Sequence, residues 1–357
     1  MTFPRRAGLV PALALLTLAA ALAPTRAAAQ SAPAKAQSPN GQIVFQSDRG
    51  GDFSDIYVVD ADGKHETRLT TDPADESNPV WSPDGSQIAF VTNRRGAYEV
   101  FLMNADGSNQ RPLRETPVET VEVAWSPDGK MLSYATRGGF GEGDVYAVEA
   151  VAPGGGDSTA PPVNLTATFA GLATDPSWSP DSTHVVFRGD IDFGNADLYT
   201  VDINGNGLTQ ITNSPAEAEA APRWSGGLIA YERVANFVRS IYVVNADGTG
   251  TPTSVSGAVE SSGGPVWSPD GARLAFSALS GGVYAVNPNG TGLTSLTDIA
   301  GSSGDPFWSP DGLKVGFSNG GDIYVVPSDG SGRRAANYTK TRRALEQGNS
   351  WQRVQTQ

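Results

Sequence analysis

The chain has 357 residues, a formal net charge of −13 and no cysteine. The missing thiols exclude disulfides, zinc–thiolate sites, cysteine catalysis and the lipid-modified cysteine of a bacterial lipoprotein, and so acidic a chain is a poor binder of nucleic acid or an anionic membrane surface. Gly (42) and Pro (25) exceed average usage, which suits a turn-rich fold.

The first element reads as a secretory signal. Arg5 and Arg6 form a basic start, an Ala/Leu-rich run extends to Ala23, and Ala27-Ala28-Ala29 supplies small residues for cleavage before Gln30. The expected divisions are a signal peptide at 1–29, a disordered leader at 30–40 and one folded domain at 41–357. The mature product is expected to be bacterial, soluble, periplasmic or secreted, monomeric and not inserted in a membrane, since no later apolar run approaches the ~20 residues a membrane helix needs.

From Gly41 onward the chain repeats. Trp81, Trp125, Trp178, Trp224, Trp267, Trp308 and Trp351 share one register, with gaps of 44, 53, 46, 43, 41 and 43 residues. A sustained period of this size marks a repeat architecture, and four-stranded propeller blades have about this length. Ser-Pro-Asp-Gly follows four of the tryptophans; Ser179-Pro180-Asp181-Ser182 follows Trp178, and only Ser225 survives after Trp224. A strand such as Ile88-Ala89-Phe90 comes next, then a second with an aromatic at a fixed place (Tyr57, Phe101, Tyr146, Tyr199, Tyr242, Tyr284, Tyr324). An Asp/Asn-Gly hairpin such as Asp60-Ala61-Asp62-Gly63 and a short strand ending in Leu-Thr or a relative close the unit. Four short strands cannot bury both faces alone, so the units are expected to stack radially into an all-β propeller, with the aromatics filling the spaces between blades.

The first unit lacks a tryptophan of its own, and Trp351 has no blade after it. The segment from Ser350 to Val354 is therefore expected to supply the inner strand of blade 1 and close a ring of seven blades, with six as the alternative count. Residues 150–163 read as an inserted loop in the third unit.

Pro79-Val80-Trp81-Ser82-Pro83-Asp84-Gly85, Asp55-Ile56-Tyr57-Val58-Val59 and Leu69-Thr70 together resemble the repeat of TolB-like propellers, over about Gly41 to the C-terminus. That resemblance implies a propeller fold. Its repeats occur in scaffolds, in lyases and in the propeller halves of some peptidases. TolB itself resembles a propeller preceded by an α/β domain; with a signal at 1–29, only about eleven residues separate the expected cleavage site from the first strand at Gln42, so that domain is expected to be missing here.

Motifs for chemistry are sparse. His65 and His184 lie three units apart at different places in the repeat, and no nucleophile elbow, Walker or dinucleotide motif is present. Asp202 to Gly207 copies the start of a calcium loop, but Asn213 stands where the closing glutamate belongs. An acid precedes each tryptophan: Glu76, Glu119, Asp175, Glu219, Glu260, Asp305 and Glu346. These positions are expected at one mouth of the channel, where a carboxylate ring would suit a cation such as calcium. The loops opening on the same mouth hold Arg49, Phe53, Arg94, Arg95, Tyr98, Arg137, Phe140, Phe193, Arg233 and Phe237. Arg and aromatic residues are enriched in protein interfaces. From this set Phe53, Arg95, Tyr98, Phe140, Phe193, Arg233 and Phe237 are the candidate partner-binding residues. The expected function is a scaffold binding a protein or peptide at the mouth, without a cofactor. The alternative is a carbohydrate-active lyase or hydrolase using channel carboxylates as acid and base.

Overall fold

The computed structural model describes residues 40–113, 119–138, 142–150, 160–191, 194–215, 217–300, 303–304, 306–339 and 346–353. The expected signal and leader up to residue 39, and most of the inserted loop, lie outside the described residues. No helix occurs among them. They form seven antiparallel four-stranded sheets, each running from an inner strand that carries the repeat tryptophan to a two-residue outer strand.

The inner strands of blades 2 to 7 are Glu76–Trp81, Glu119–Trp125, Leu172–Trp178, Ala218–Ser225, Val266–Trp267 and Phe307–Trp308. Blade 1 takes its inner strand from the far end of the chain. Glu346–Arg353 pairs with Asn40–Ser47, with Trp351 opposite Ile43 and Ser350 opposite Val44. The expected clasp is thus present, and it decides between seven and six blades. Each inner strand also touches the next around the circle, with Phe307–Trp308 meeting Glu346–Arg353 and Glu346–Arg353 meeting Glu76–Trp81.

Seven apolar clusters hold the ring together, each drawn from two adjoining blades. One example joins Val44, Ile56 and Val58 of blade 1 to Trp81, Ile88, Phe90 and Phe101 of blade 2. The seam cluster joins Phe307, Ile323 and Val325 of blade 7 to Ile43, Phe45, Tyr57 and Trp351 of blade 1. A blade's own faces carry this apolar surface, so it can be buried only against a neighbour. The fixed aromatics explain themselves in the same way. Within every blade the aromatics of the second and third strands are directly opposite partners, as in Phe45 with Tyr57 and Tyr134 with Tyr146, whose ring centroids are 5.7 and 5.4 Å apart. Such cross-strand aromatic pairs fix register as well as adding contact.

The tryptophans do more than fill space. Trp125, Trp178, Trp267 and Trp308 each donate the indole N–H to a main-chain carbonyl one residue before the preceding blade's tryptophan: Val80, Ala124, Arg223 and Val266, at 2.8–3.3 Å. At the seam the Trp351 indole donates instead to Gly41 O, at 3.0 Å. In blade 5, where the Ser-Pro-Asp-Gly turn is lost, Trp224 donates to Gly226 O of its own turn.

Candidate functional site

The connections from an outer strand to the next inner strand, and those between second and third strands, open on one mouth of the channel. The Ser-Pro-Asp-Gly turns and Asp/Asn-Gly hairpins form the opposite face. Near the mouth the inner strands of blades 2 to 5 each break register once, between Ser77 and Val80, Thr120 and Glu122, Thr174 and Ser177, and Ala220 and Arg223. Pro79, Pro176 and Pro222 sit in three of these breaks; proline has no N–H to give the ladder, so it settles where pairing is already lost. A bulge re-aims a side chain. The residue three before the tryptophan adopts a left-handed backbone at Asn78, Asp175 and Ala221, with φ of 51°, 55° and 49°.

That turned residue reaches the neighbouring blade. Asn78 Nδ2 donates to Val121 O at 2.8 Å, Asp175 N to Glu122 Oε2 at 3.0 Å, and Ala221 N to Asp175 Oδ2 at 3.2 Å. A chain of side chain-to-backbone links therefore runs from blade 2 to blade 5 around the channel. Beside it lies a cavity of about 910 Å³, lined among others by Glu122, Asp175, Arg137, Arg188, Glu232 and Arg239. Burial, and then the Asp175 carboxylate alongside, push Glu122 up to about 8, against the weaker pull of Arg223. At neutral pH Glu122 therefore holds its proton and can donate to Asp175.

The acids expected in one ring are distributed among three environments. Glu76 and Glu219, five residues before their tryptophans, are fully buried between blades. Glu76 pairs with Arg94. Glu219 accepts from the Thr212 and Ser214 hydroxyls. Burial raises both acids, Glu219 to about 7. The same threonine hydroxyl accepts Leu198 N at 2.9 Å, and Thr70 does so for Ile56 N at 2.8 Å. The Leu-Thr ending is thus a bolt: its hydroxyl caps the third strand and, at Thr212, is held by the next blade's acid. Glu119 and Glu260 are exposed at the rim. Among the described acids of the set Asp175 takes the bulge position; it lines the cavity, whose wall Glu219 also reaches. Asp305 lies outside the described residues, and so does the side chain of Glu346. Among the described residues no group of three His, Cys, Asp or Glu side chains is gathered so as to hold a metal ion. Five residues before the tryptophan points between blades and three before points into the channel, so one spacing rule cannot bring all seven acids together.

The arginine and aromatic set divides too. Arg49 and Arg94 lie over the paired aromatics of their own blades, Arg94 5.5 Å from the Phe90 centroid and 4.8 Å from that of Phe101. Arg233 sits 4.8 Å from the Tyr242 centroid and pairs with Glu217. The structure therefore packs Arg233 into its blade. Arg95 pairs with Glu99 at 3.5 Å, and Tyr98 is half-buried against the cluster between blades 2 and 3. Phe140 and Phe193 lie outside the described residues. Phe53 and Phe237 face solvent, Phe237 completely. Sequence reading missed Glu122, Ile191, Val238 and Leu279. Glu122 was findable, because it stands three before Trp125 as Asp175 does before Trp178; the exposed aliphatics carried no signal. His65 contacts Asp60 in blade 1, and His184 lies near Trp224 on the turn face, so the two histidines share no site.

The model of the tricorn protease N-terminal β-propeller domain matches residues 35–170. An uncharacterized peptidase of Bacillus subtilis, YuxL, is 42% identical over 52 residues, 14% of this chain and 8% of that protein. Tol-Pal system protein TolB 1 of Novosphingobium aromaticivorans is 42% identical over 48 residues, 13% of this chain and 10% of that protein. The matched stretches are thus about one repeat long and a small part of either relative. Among solved structures, TolB from Acinetobacter baumannii superposes with a TM-score of 0.55 at 16% identity, covering 87% of this chain and 66% of that one. Oligogalacturonate lyase from Vibrio parahaemolyticus does so with a TM-score of 0.61 at 15% identity, covering 84% and 85%. At such identities the likeness is one of fold. Fold and repeat together make this chain a β-propeller whose repeats are similar to those of the tricorn and TolB propellers.

Proposed function

We propose that the chain is an exported scaffold whose channel mouth binds a protein or peptide. The observation that carries this is where the exposed apolar side chains lie. Of the eight exposed large apolar side chains among the described residues, Phe53, Ile191, Phe237 and Leu279 lie in connections between second and third strands and Val238 begins the strand after one, all on the mouth face, whereas Val163, Leu293 and Leu313 lie elsewhere. Exposed apolar side chains gathered on one face are typical of a binding patch. Export rests on Arg5, Arg6 and the run to Ala29, and an envelope location agrees with the Tol-Pal name of one relative. The test is a photo-reactive residue at position 237, compared with one at Leu313 on the turn face, in cells making the protein. A partner cross-linked from 237 and not from 313 supports the reading; equal capture from both, or from 313 only, overturns it.

A second reading, a carbohydrate-active lyase or hydrolase, is favoured by one observation. Glu122, raised by burial and by the Asp175 carboxyl beside it, lies with that second carboxyl in an open cavity, a pairing suited to acid–base work. Turnover of acidic or neutral polysaccharides by the purified protein, abolished in Glu122→Gln and Asp175→Asn, would replace the scaffold reading with this one.

A further inference from the structure

The second-to-third strand hairpin of blade 5 is unlike the others. Its strands, Leu228–Ala235 and Val238–Asn245, are eight residues each and joined by Asn236 and Phe237 alone. Both linking residues are left-handed, with φ of 50° and 67°. A two-residue turn of this kind wants glycine at its second position, and a bulky side chain there is strained. Phe237 recovers nothing for that strain, since it is 100% exposed. Val238, on the same hairpin, is also exposed, and so are Ile191 in the corresponding connection of blade 4 and Leu279 in that of blade 6. Three consecutive blades thus present an apolar ridge. Glu232, Val234 and Arg239, lower on the blade 5 hairpin, line the cavity, so the blade 5 part of the ridge rises from the cavity wall.

We propose that the ridge seats a peptide segment whose apolar side chains lie against Ile191, Phe237, Val238 and Leu279 and whose lysine or arginine enters the cavity. The proposal rests on the binding role argued above and adds the partner's chemistry. Charge complementarity selects the basic residue. The cavity is lined by five acids against three arginines, Arg137, Arg188 and Arg239, of which Arg188 is paired with Asp190 and Arg239 with Glu232. Glu122 and Asp175 instead face each other, Glu122 holding its proton beside the second carboxyl, and a guest cation would favour release of that proton and pair with both. An anionic guest would meet that pair unfavourably, and the chain's net charge of −13 draws basic segments to it at long range.

The probes are fluorescein-labelled heptapeptides, Gly-Leu-Phe-X-Leu-Phe-Gly, with lysine, norleucine or glutamate at X, titrated against the intact mature protein. The lysine peptide is expected to bind at least about tenfold more tightly than the glutamate peptide, a difference of roughly 1.4 kcal/mol. In Glu122→Gln/Asp175→Asn that preference should fall to about threefold or less, while Phe237→Ala should weaken the lysine and norleucine peptides alike. An unchanged melting temperature keeps each variant interpretable. Equal binding of the three peptides, all weakened by Phe237→Ala, would overturn the charge inference and leave the binding face standing. If no peptide binds while cross-linking from 237 still captures a partner, the partner's chemistry is wrong and the face is right. Silence in both experiments removes the binding role itself.

Discussion

The two faces of the ring are built by opposite rules. On the turn face the same arrangement recurs five times: Ser82, Ser126, Ser179, Ser268 and Ser309 each donate a hydroxyl to the aspartate two residues on, at 2.6–2.7 Å. The aspartate oxygens also accept the backbone N–H two residues further, as Asp270 does from Ala272 and Asp311 from Leu313. Even where serine replaces glycine, Ser182 keeps the left-handed φ of 60° that the turn requires. On the mouth face the connections differ in length and content, five of the eight exposed large apolar side chains among the described residues stand there, against Leu293 and Leu313 on the turn face, and a carboxyl pair lies in a cavity. A turn that satisfies its own polar groups has little left for a partner. The difference teaches that repetition marks where folding is served and variation marks where binding can be placed.

The comparison breaks most severely at the seam, where both faces depend on one borrowed strand. Trp351 is buried, 6% exposed, and packs edge-on to Phe307 with ring centroids 6.3 Å apart. Trp351→Ala is expected to cost about 3–5 kcal/mol, and removal of residues 349–357 more, both read as a fall in melting temperature. An unchanged melting temperature in both would mean that the clasp is dispensable.

The next effect is a pH dependence that separates the two faces. Glu122 is raised from its ordinary value of 4.5 to about 8, and Glu219 to about 7, each chiefly by burial. A folded state that holds a proton more tightly than the unfolded chain is favoured at low pH. The mouth-face contribution is thus full below about pH 4.5 and is lost as pH rises through 7 and 8. Denaturant midpoints should fall over that window, and Glu122→Gln should flatten the decline. A midpoint that rises across it would show that Glu122 is ionised in the fold.

The turn face has the contrary sign and a smaller effect. The Ser179 hydroxyl, with that of Thr183 and the Thr183 N–H, holds Asp181 down to about 2. That contribution is present above about pH 4 and disappears as pH falls through 2. Because Asp181 is solvent-exposed, Asp181→Ala should cost no more than about 1 kcal/mol near neutral pH, and a loss well beyond that would mean the turn anchors more than itself.

The smallest stability effect belongs to the ridge. Phe237→Gly relieves the left-handed strain but loosens the unfolded chain, and these offset each other to within about 1 kcal/mol. Its melting temperature should stay level or rise slightly while partner cross-linking at the mouth is lost. A marked fall would show Phe237 to be structural.

The period of the tryptophans, the Asp/Asn-Gly turns and the strand aromatics determined the propeller from sequence alone. Each is a local demand, for a turn geometry or for a buried face, that recurs at fixed spacing and so can be read without coordinates. The complementary deficits at the two ends of the repeat even disclosed the closing strand. Tertiary structure alone decided which acids meet. Glu76 and Asp175 both look like the acid before a tryptophan. A two-residue difference in position, acting through a bulge, buries the first beside Arg94 and turns the second toward Glu122 of another blade. It alone also decided that Arg233 packs over Tyr242 while Phe237, four residues later, stands free. Partners brought from 46 or 53 residues away leave no local pattern, because what selects them is the packing of neighbouring blades.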